Sequence, residues 1–125
     1  MEDIITGFET LEVWKQARIF RAMIIDLCKQ IPQEERYRLI DQIKRSSRSV
    51  TANIAEGYGR FHYLDNIKFC RDARGSLNET FDHVTVAFDE KYINEEKLIR
   101  FRQQFEKVLK LLHGYIAYLK KQKAT

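Results

Sequence analysis

The sequence predicts an all-α protein, an up-down-up-down antiparallel four-helix bundle forming one domain over residues 1–125. Three observations carry that expectation. Four long stretches place apolar residues at alternating steps of three and four, which is the spacing of one helix face. One proline and five glycines leave little turn chemistry for an all-β fold. A composition 44% hydrophobic and 12% aromatic is too apolar for a disordered chain, and 125 residues can bury a core of their own.

The first helix is expected from Leu11 to Ile31, with Val13, Ala17, Phe20, Ile24, Leu27 and Ile31 on its stripe. Pro32 ends it, because the residue before a proline is pushed out of the α region. Pro32 then suits the opening of the second helix, where Glu34 and Glu35 meet the positive end of the dipole. That helix, 33–56, turns Leu39, Ile43, Val50 and Ile54 inward, and Gly57 and Gly59 mark its end. The third spans 61–91 and carries Tyr63, Ile67, Cys70, Arg74, Leu77, Phe81, Val84 and Phe88 in strict steps. Asn94 is expected to cap the fourth, with Glu95 and Glu96 in its first turn. Leu98, Phe101, Phe105, Val108, Leu112, Tyr115 and Leu119 line that helix, and Lys120, Lys121 and Lys123 sit near its negative end. Residues 1–10 and 123–125 are expected to be loosely held.

Two places break the apolar pattern. The run Lys44-Arg45-Ser46-Ser47-Arg48-Ser49 puts polar and small residues in the middle of the second helix. Arg74 takes a seam position in the third, where a buried guanidinium needs an anionic partner. A hairpin turning near Arg60–Phe61 pairs residues whose numbers add up to about 121. That sets Ser46 and Ser47 against Gly75, Arg45 against Ser76, Gln42 against Glu79, and Arg48 against Ala73 beside Asp72. Small residues facing small residues let helix axes approach closely. The expectation is a tight polar crossing in which Arg45, Arg48 and Arg74 pair with Glu79, Asp72 or Glu56, fixing register rather than catalysing a reaction.

Several function classes are disfavoured. A nucleophile needs a base and an orienting group converging on it, and in this arrangement no histidine lies near Ser46, Ser47, Ser49 or Ser76. The di-iron bundle pattern wants Glu-x-x-His, whereas Glu79 and His83 are four apart, so neither a metal nor a cofactor is expected. Cys28 and Cys70 lack metal or redox spacing and read as small core residues of a reduced, cytoplasmic protein. No apolar run approaches the ~18–20 residues of a membrane span. The acidic Met1-Glu2-Asp3 start is unlike a signal peptide.

Charge offers the positive indication. The net charge is only +4, but eight basic residues face one acid, Glu106, from Lys97 onward. On a helix Arg100, Lys107, Lys110 and Lys121 share an arc of roughly 80°, away from the apolar stripe. Tyr118 lies in that arc, and Gly114 leaves a gap in it. Such a surface can track phosphates, with an aromatic available for stacking. The candidate nucleic-acid contacts are therefore Arg100, Lys107, Lys110, Tyr118, Lys120, Lys121 and Lys123, joined by Arg45, Arg48 and Arg60 where exposed. Trp14, Met23, Leu111 and Ile116 fall at or beyond the edges of the narrow seams. They mark either wide core stripes or a patch for another subunit or protein partner.

Several blocks together resemble one family. They are Phe8-Glu9-Thr10-Leu11-Glu12-Val13-Trp14-Lys15-Gln16-Ala17; Gln42-Ile43 with Arg45-Ser46-Ser47; Ser49-Val50-Thr51-Ala52-Asn53-Ile54-Ala55-Glu56-Gly57 with Gly59-Arg60; Gly75-Ser76-Leu77-Asn78-Glu79; and Lys91-Tyr92-Ile93. They are similar to the bacterial four-helix-bundle family encoded in intervening sequences of large-subunit ribosomal RNA genes. That family also includes the accessory variability determinant of diversity-generating retroelements. The resemblance implies a homo-oligomeric ring, a pentamer. For the retroelement members it also implies binding of RNA or DNA and contact with a reverse transcriptase. It implies no catalytic residues. Asn53, Glu56, Ser76 and Glu79 match its motif and coincide with the polar crossing around Arg74. The chain departs from the pattern at Thr51, where proline is common, and at Cys70 and Thr80, where leucine is. Thr51 should make the second helix more continuous, and the other two should loosen the core slightly.

Overall fold

The structure is a computed structural model that describes residues 7–60 and 62–124. A 3₁₀ turn at Phe8–Thr10 leads into α1 (Glu12–Cys28), α2 (Leu39–Tyr58), α3 (Tyr63–Asp89) and α4 (Glu95–Ala124), with a second 3₁₀ turn at Gln33–Glu35. Neighbouring helices run antiparallel, and α1 closes the bundle by packing on both α2 and α4. The expected loose segments lie only partly within the described residues; Phe8 itself packs edge-on against Trp14, ring centres 5.0 Å apart.

The apolar stripes meet as the periodicity implies. Phe20, Ile24, Leu27, Ile43, Ile54, Leu77 and Leu112 are sealed from solvent in one central cluster. Phe20 meets Phe101 edge-on at 6.3 Å, and Phe81 stacks on Phe105 at 4.7 Å. Each such fully buried side chain is worth about 1.5–3 kcal/mol of transfer energy. Trp14 and Ile116 are buried, and Met23 and Leu111 pack on the core. These four residues therefore widen the core stripes and form no exposed patch.

The helix ends differ from the sequence boundaries for local reasons. α2 starts at Leu39, not 33, because Gln33 to Arg38 offer no apolar face to bury and Arg38 adopts φ −121°, ψ −104°. Glu35 is held instead by Tyr92, whose hydroxyl donates to its carboxylate at 2.8 Å. α3 ends in a Schellman turn. The Tyr92 N–H reaches Ala87 C=O at 2.8 Å, the Lys91 N–H reaches Phe88 C=O at 2.9 Å, and Lys91 takes the left-handed position at φ 67°. Asn94 caps α4 as expected, its side-chain oxygen accepting the Lys97 N–H at 2.9 Å.

Two length mismatches shape one end of the bundle. Gln104 of α4 donates to Gln16 of α1 at 2.9 Å. Four residues back along α1 and four on along α4, Glu12 is therefore level with Val108. α4 continues through Ala124, so its later turns rise beyond the start of α1. There a separate small core of Ile67, Cys70, Ile116 and Leu119 joins α3 to α4.

Candidate nucleic-acid interface

The outer face of α4 carries the cations where the sequence places them. Lys107, Lys110, Lys120, Lys121 and Lys123 are exposed, and none pairs with a carboxylate among the described residues. Arg100 is different, since its guanidinium lies 3.2 Å from Glu96, one turn earlier. Arg102 likewise meets Glu106 at 3.2 Å and lies over the Phe81 ring. Tyr118 is half exposed and stacks on Tyr115 with centres 6.2 Å apart. No atom lies within 4 Å of where a Gly114 side chain would begin, so the gap in the stripe is open.

The three arginines added from α2 and its end divide. Arg45 pairs with Asp41 at 3.4 Å and Arg60 with Glu56 at 3.0 Å, each on its own helix. Arg48 is exposed and makes no ion pair among the described residues.

The polar crossing exists, but it is built from hydroxyls and not from charges. Thr80 Oγ1 and Ser46 Oγ are 2.8 Å apart, and Ser76 Oγ donates to Ser49 Oγ at 2.9 Å. Asn53 Nδ2 donates to the Ser49 carbonyl and hydroxyl at 2.9 and 3.0 Å. Gln42, Arg45 and Glu79 line a shallow groove over these serines, yet Glu79 meets His83 at 3.4 Å rather than an arginine. Arg74 is half-buried and has no carboxylate partner among the described residues. Long charged side chains can bend toward water and pair one turn away on their own helix, whereas short hydroxyls cannot leave the crossing.

The register differs as well. Ser46 with Thr80 and Ser49 with Ser76 give partner numbers adding up to 126 and 125, not 121. The cause lies in the turn. Gly59 keeps helical dihedrals and the Arg60 N–H bonds Gly57 C=O at 3.1 Å, so α2 keeps winding past Tyr58 and the reversal moves later. Gly75 consequently faces open space, with no atom within 4 Å of an added Cβ. The glycine that permits close approach is Gly57, whose Cβ would lie 2.6 Å from Asn66 Oδ1 and 3.0 Å from Phe69 Cβ. Thr80 is completely buried and hydrogen-bonded, so it fastens the core and does not loosen it. Thr51 accepts from Arg21 at 2.8 Å within an unbroken α2.

Among the described residues, no group of three or more His, Cys, Asp or Glu side chains converges as a metal site. No described helix is long and apolar enough to cross a membrane.

Residues 9–114 match the family described as 23S rRNA-intervening sequence protein. The chain belongs to that family. A crystal structure of a protein of unknown function from the S23 ribosomal protein family of Bacteroides thetaiotaomicron is similar to it. That protein is 27% identical, with a TM-score of 0.76 covering 83% of this chain and 97% of the other. No curated protein matches the sequence. The matched region holds the whole hydroxyl crossing, Gly57 and Lys107 with Lys110, and it stops before Tyr118, Lys120, Lys121 and Lys123. The family description names a ribosomal RNA location and no enzyme activity.

Proposed function

We propose that this intervening-sequence protein is a non-catalytic, cytoplasmic bundle that assembles as a ring, a pentamer, and binds RNA or DNA through the outer face of α4. The observation that supports this reading most is the row of exposed lysines, Lys107, Lys110 and Lys121, which no carboxylate among the described residues neutralises. Unpaired cations along one rod release condensed counterions when phosphates replace water, which is a favourable and sequence-independent term. Repetition of the rod around a ring multiplies a weak contact by avidity. Resemblance to retroelement accessory proteins adds a reverse transcriptase as the protein partner.

The test is binding of structured RNA and duplex DNA across a salt series, with light scattering to give the subunit count. Affinity should fall steeply with salt. Lys107→Glu with Lys110→Glu should weaken binding on all sequences alike and flatten the salt slope by about 2. A flat salt response overturns the reading. A pull-down that captures a protein and resists both nuclease and salt would favour an interaction scaffold instead.

A further inference from the structure

The later turns of α4 leave an open mouth where α1 stops short. Tyr58 at the end of α2, Arg60 and His62 in the turn, Tyr63 at the start of α3, and Tyr115 and Tyr118 of α4 all line it. The mouth holds about 330 Å³, at the lower end of the roughly 300–1,000 Å³ of small-molecule sites. None of the lining residues among those described is acidic. Two of the rings, Tyr115 and Tyr118, are held in place. Asn66 Nδ2 donates to the Tyr115 hydroxyl at 3.1 Å, Tyr115 stacks on Tyr118, and three residues from that bond in each direction Tyr63 lies level with Tyr118. Tyr63 and Tyr118 nevertheless remain 43% and 53% exposed. With Tyr58 and Leu64 they make four of the nine large apolar side chains that stay exposed among the described residues. A second groove shares His62 and Tyr63 and is flanked by Lys123 and Asp65, so solvent reaches Tyr63 from two sides.

Exposed aromatic faces beside unpaired cations are a stacking platform for bases that are not already paired. A duplex keeps its bases stacked on one another and offers none to such a mouth. We infer that this end of the bundle is a receptor for single-stranded nucleic acid. In it, Tyr63 and Tyr118 stack on unpaired bases while Lys121, on the same side of α4 as Tyr118, and Lys123, beside Tyr63, hold the adjoining phosphates. The inference rests on the nucleic-acid reading of α4 and sharpens it, from any polyanion to strands with free bases.

The experiment compares the full chain binding a short oligothymidylate, the same oligomer with abasic sugars, and a duplex, all at one salt concentration. The two single strands carry equal charge and differ only in bases. The normal strand should bind at least about tenfold tighter than the abasic one, since a single stacked base gives about that factor and two are engaged. Tyr63→Ala with Tyr118→Ala should erase that difference, and Tyr118→Phe should keep it. Both positions are exposed at a helix end, and circular dichroism checks that the variants fold. A strand bearing 2-aminopurine should lose fluorescence on binding to the unmodified protein and keep it with the double alanine variant. Lys107→Glu with Lys110→Glu should weaken normal and abasic strands equally. Equal binding of normal and abasic strands overturns this site while leaving the lysine face standing. Tyrosine variants that change the assembled mass but not the preference for bases also overturn it, and would make the mouth a subunit contact. Failure of every oligonucleotide to bind overturns the lysine face as well.

Discussion

Thr80 Oγ1 and Ser46 Oγ lie 2.8 Å apart at the centre of the α2–α3 crossing, and Thr80 has no exposed surface. With Ser76 and Ser49 one turn away, the pair joins two helices whose remaining buried contacts are largely apolar. Thr80→Val keeps the shape and removes the hydroxyl, so it should lower stability by about 1–2 kcal/mol in urea unfolding. Ser46→Ala should cost a similar amount. The double variant should fall short of the sum by at least about 0.5 kcal/mol, because both singles break one bond. Strict additivity would show that the two hydroxyls act independently.

Two helical glycines should respond in opposite directions to alanine. Gly57→Ala gains helix propensity of about 1 kcal/mol but drives its methyl against Asn66, which is buried and held by Tyr115. Overpacking of that kind typically costs about 1–3 kcal/mol, so a net loss is expected. Gly75→Ala meets nothing within 4 Å and should stabilise by about 0.5–1 kcal/mol. Thermal unfolding of the two variants side by side reads both signs.

Lys91 holds a left-handed conformation that a side chain resists by about 1–2 kcal/mol. Lys91→Gly should therefore raise stability by roughly 0.5–1 kcal/mol, as glycine relieves the strain at a cost in unfolded-state entropy. An unchanged melting temperature would mean that the turn costs the lysine nothing.

Alkaline pH should loosen the fold at identifiable groups. Burial pushes the Cys70 thiol up to about 11 from 9.0, so the folded state favours the protonated form. That contribution is complete below pH 9 and disappears as pH rises through about 11. Cys70→Val should flatten part of the decline in urea midpoint over that window. Tyr92 is held up at about 12, chiefly by its hydrogen bond to Glu35. Burial also raises the Tyr115 phenol, so absorbance titration should show more than one late-ionising group, of which the latest vanishes in Tyr92→Phe and moves down in Glu35→Gln.

The helices and their buried faces were legible because period alone reports them, as Phe20, Phe101, Phe81 and Phe105 show by meeting in pairs. The Asn94 cap was legible because the side chain acts locally. Register across the α2–α3 hairpin was not, since it depends on Gly59 and Arg60 continuing to wind after the helix formally ends. The charged crossing was misjudged for a related reason. Arg45 had Asp41 one turn away, and a local partner costs less ordering than a distant one. Tyr118 was visible as an aromatic among lysines, but Tyr58 and Tyr63 were not connected to it. Only the level at which α1 begins beside α4 exposes that group.

That unequal ending of α1 and α4 gives the molecule a distinct head and tail. Copies related by a single rotation axis must carry equivalent features at one height along that axis. A closed circle of this chain would therefore bear all its tyrosine-lined openings on a common rim, and a strand laid along that rim would meet them in regular succession.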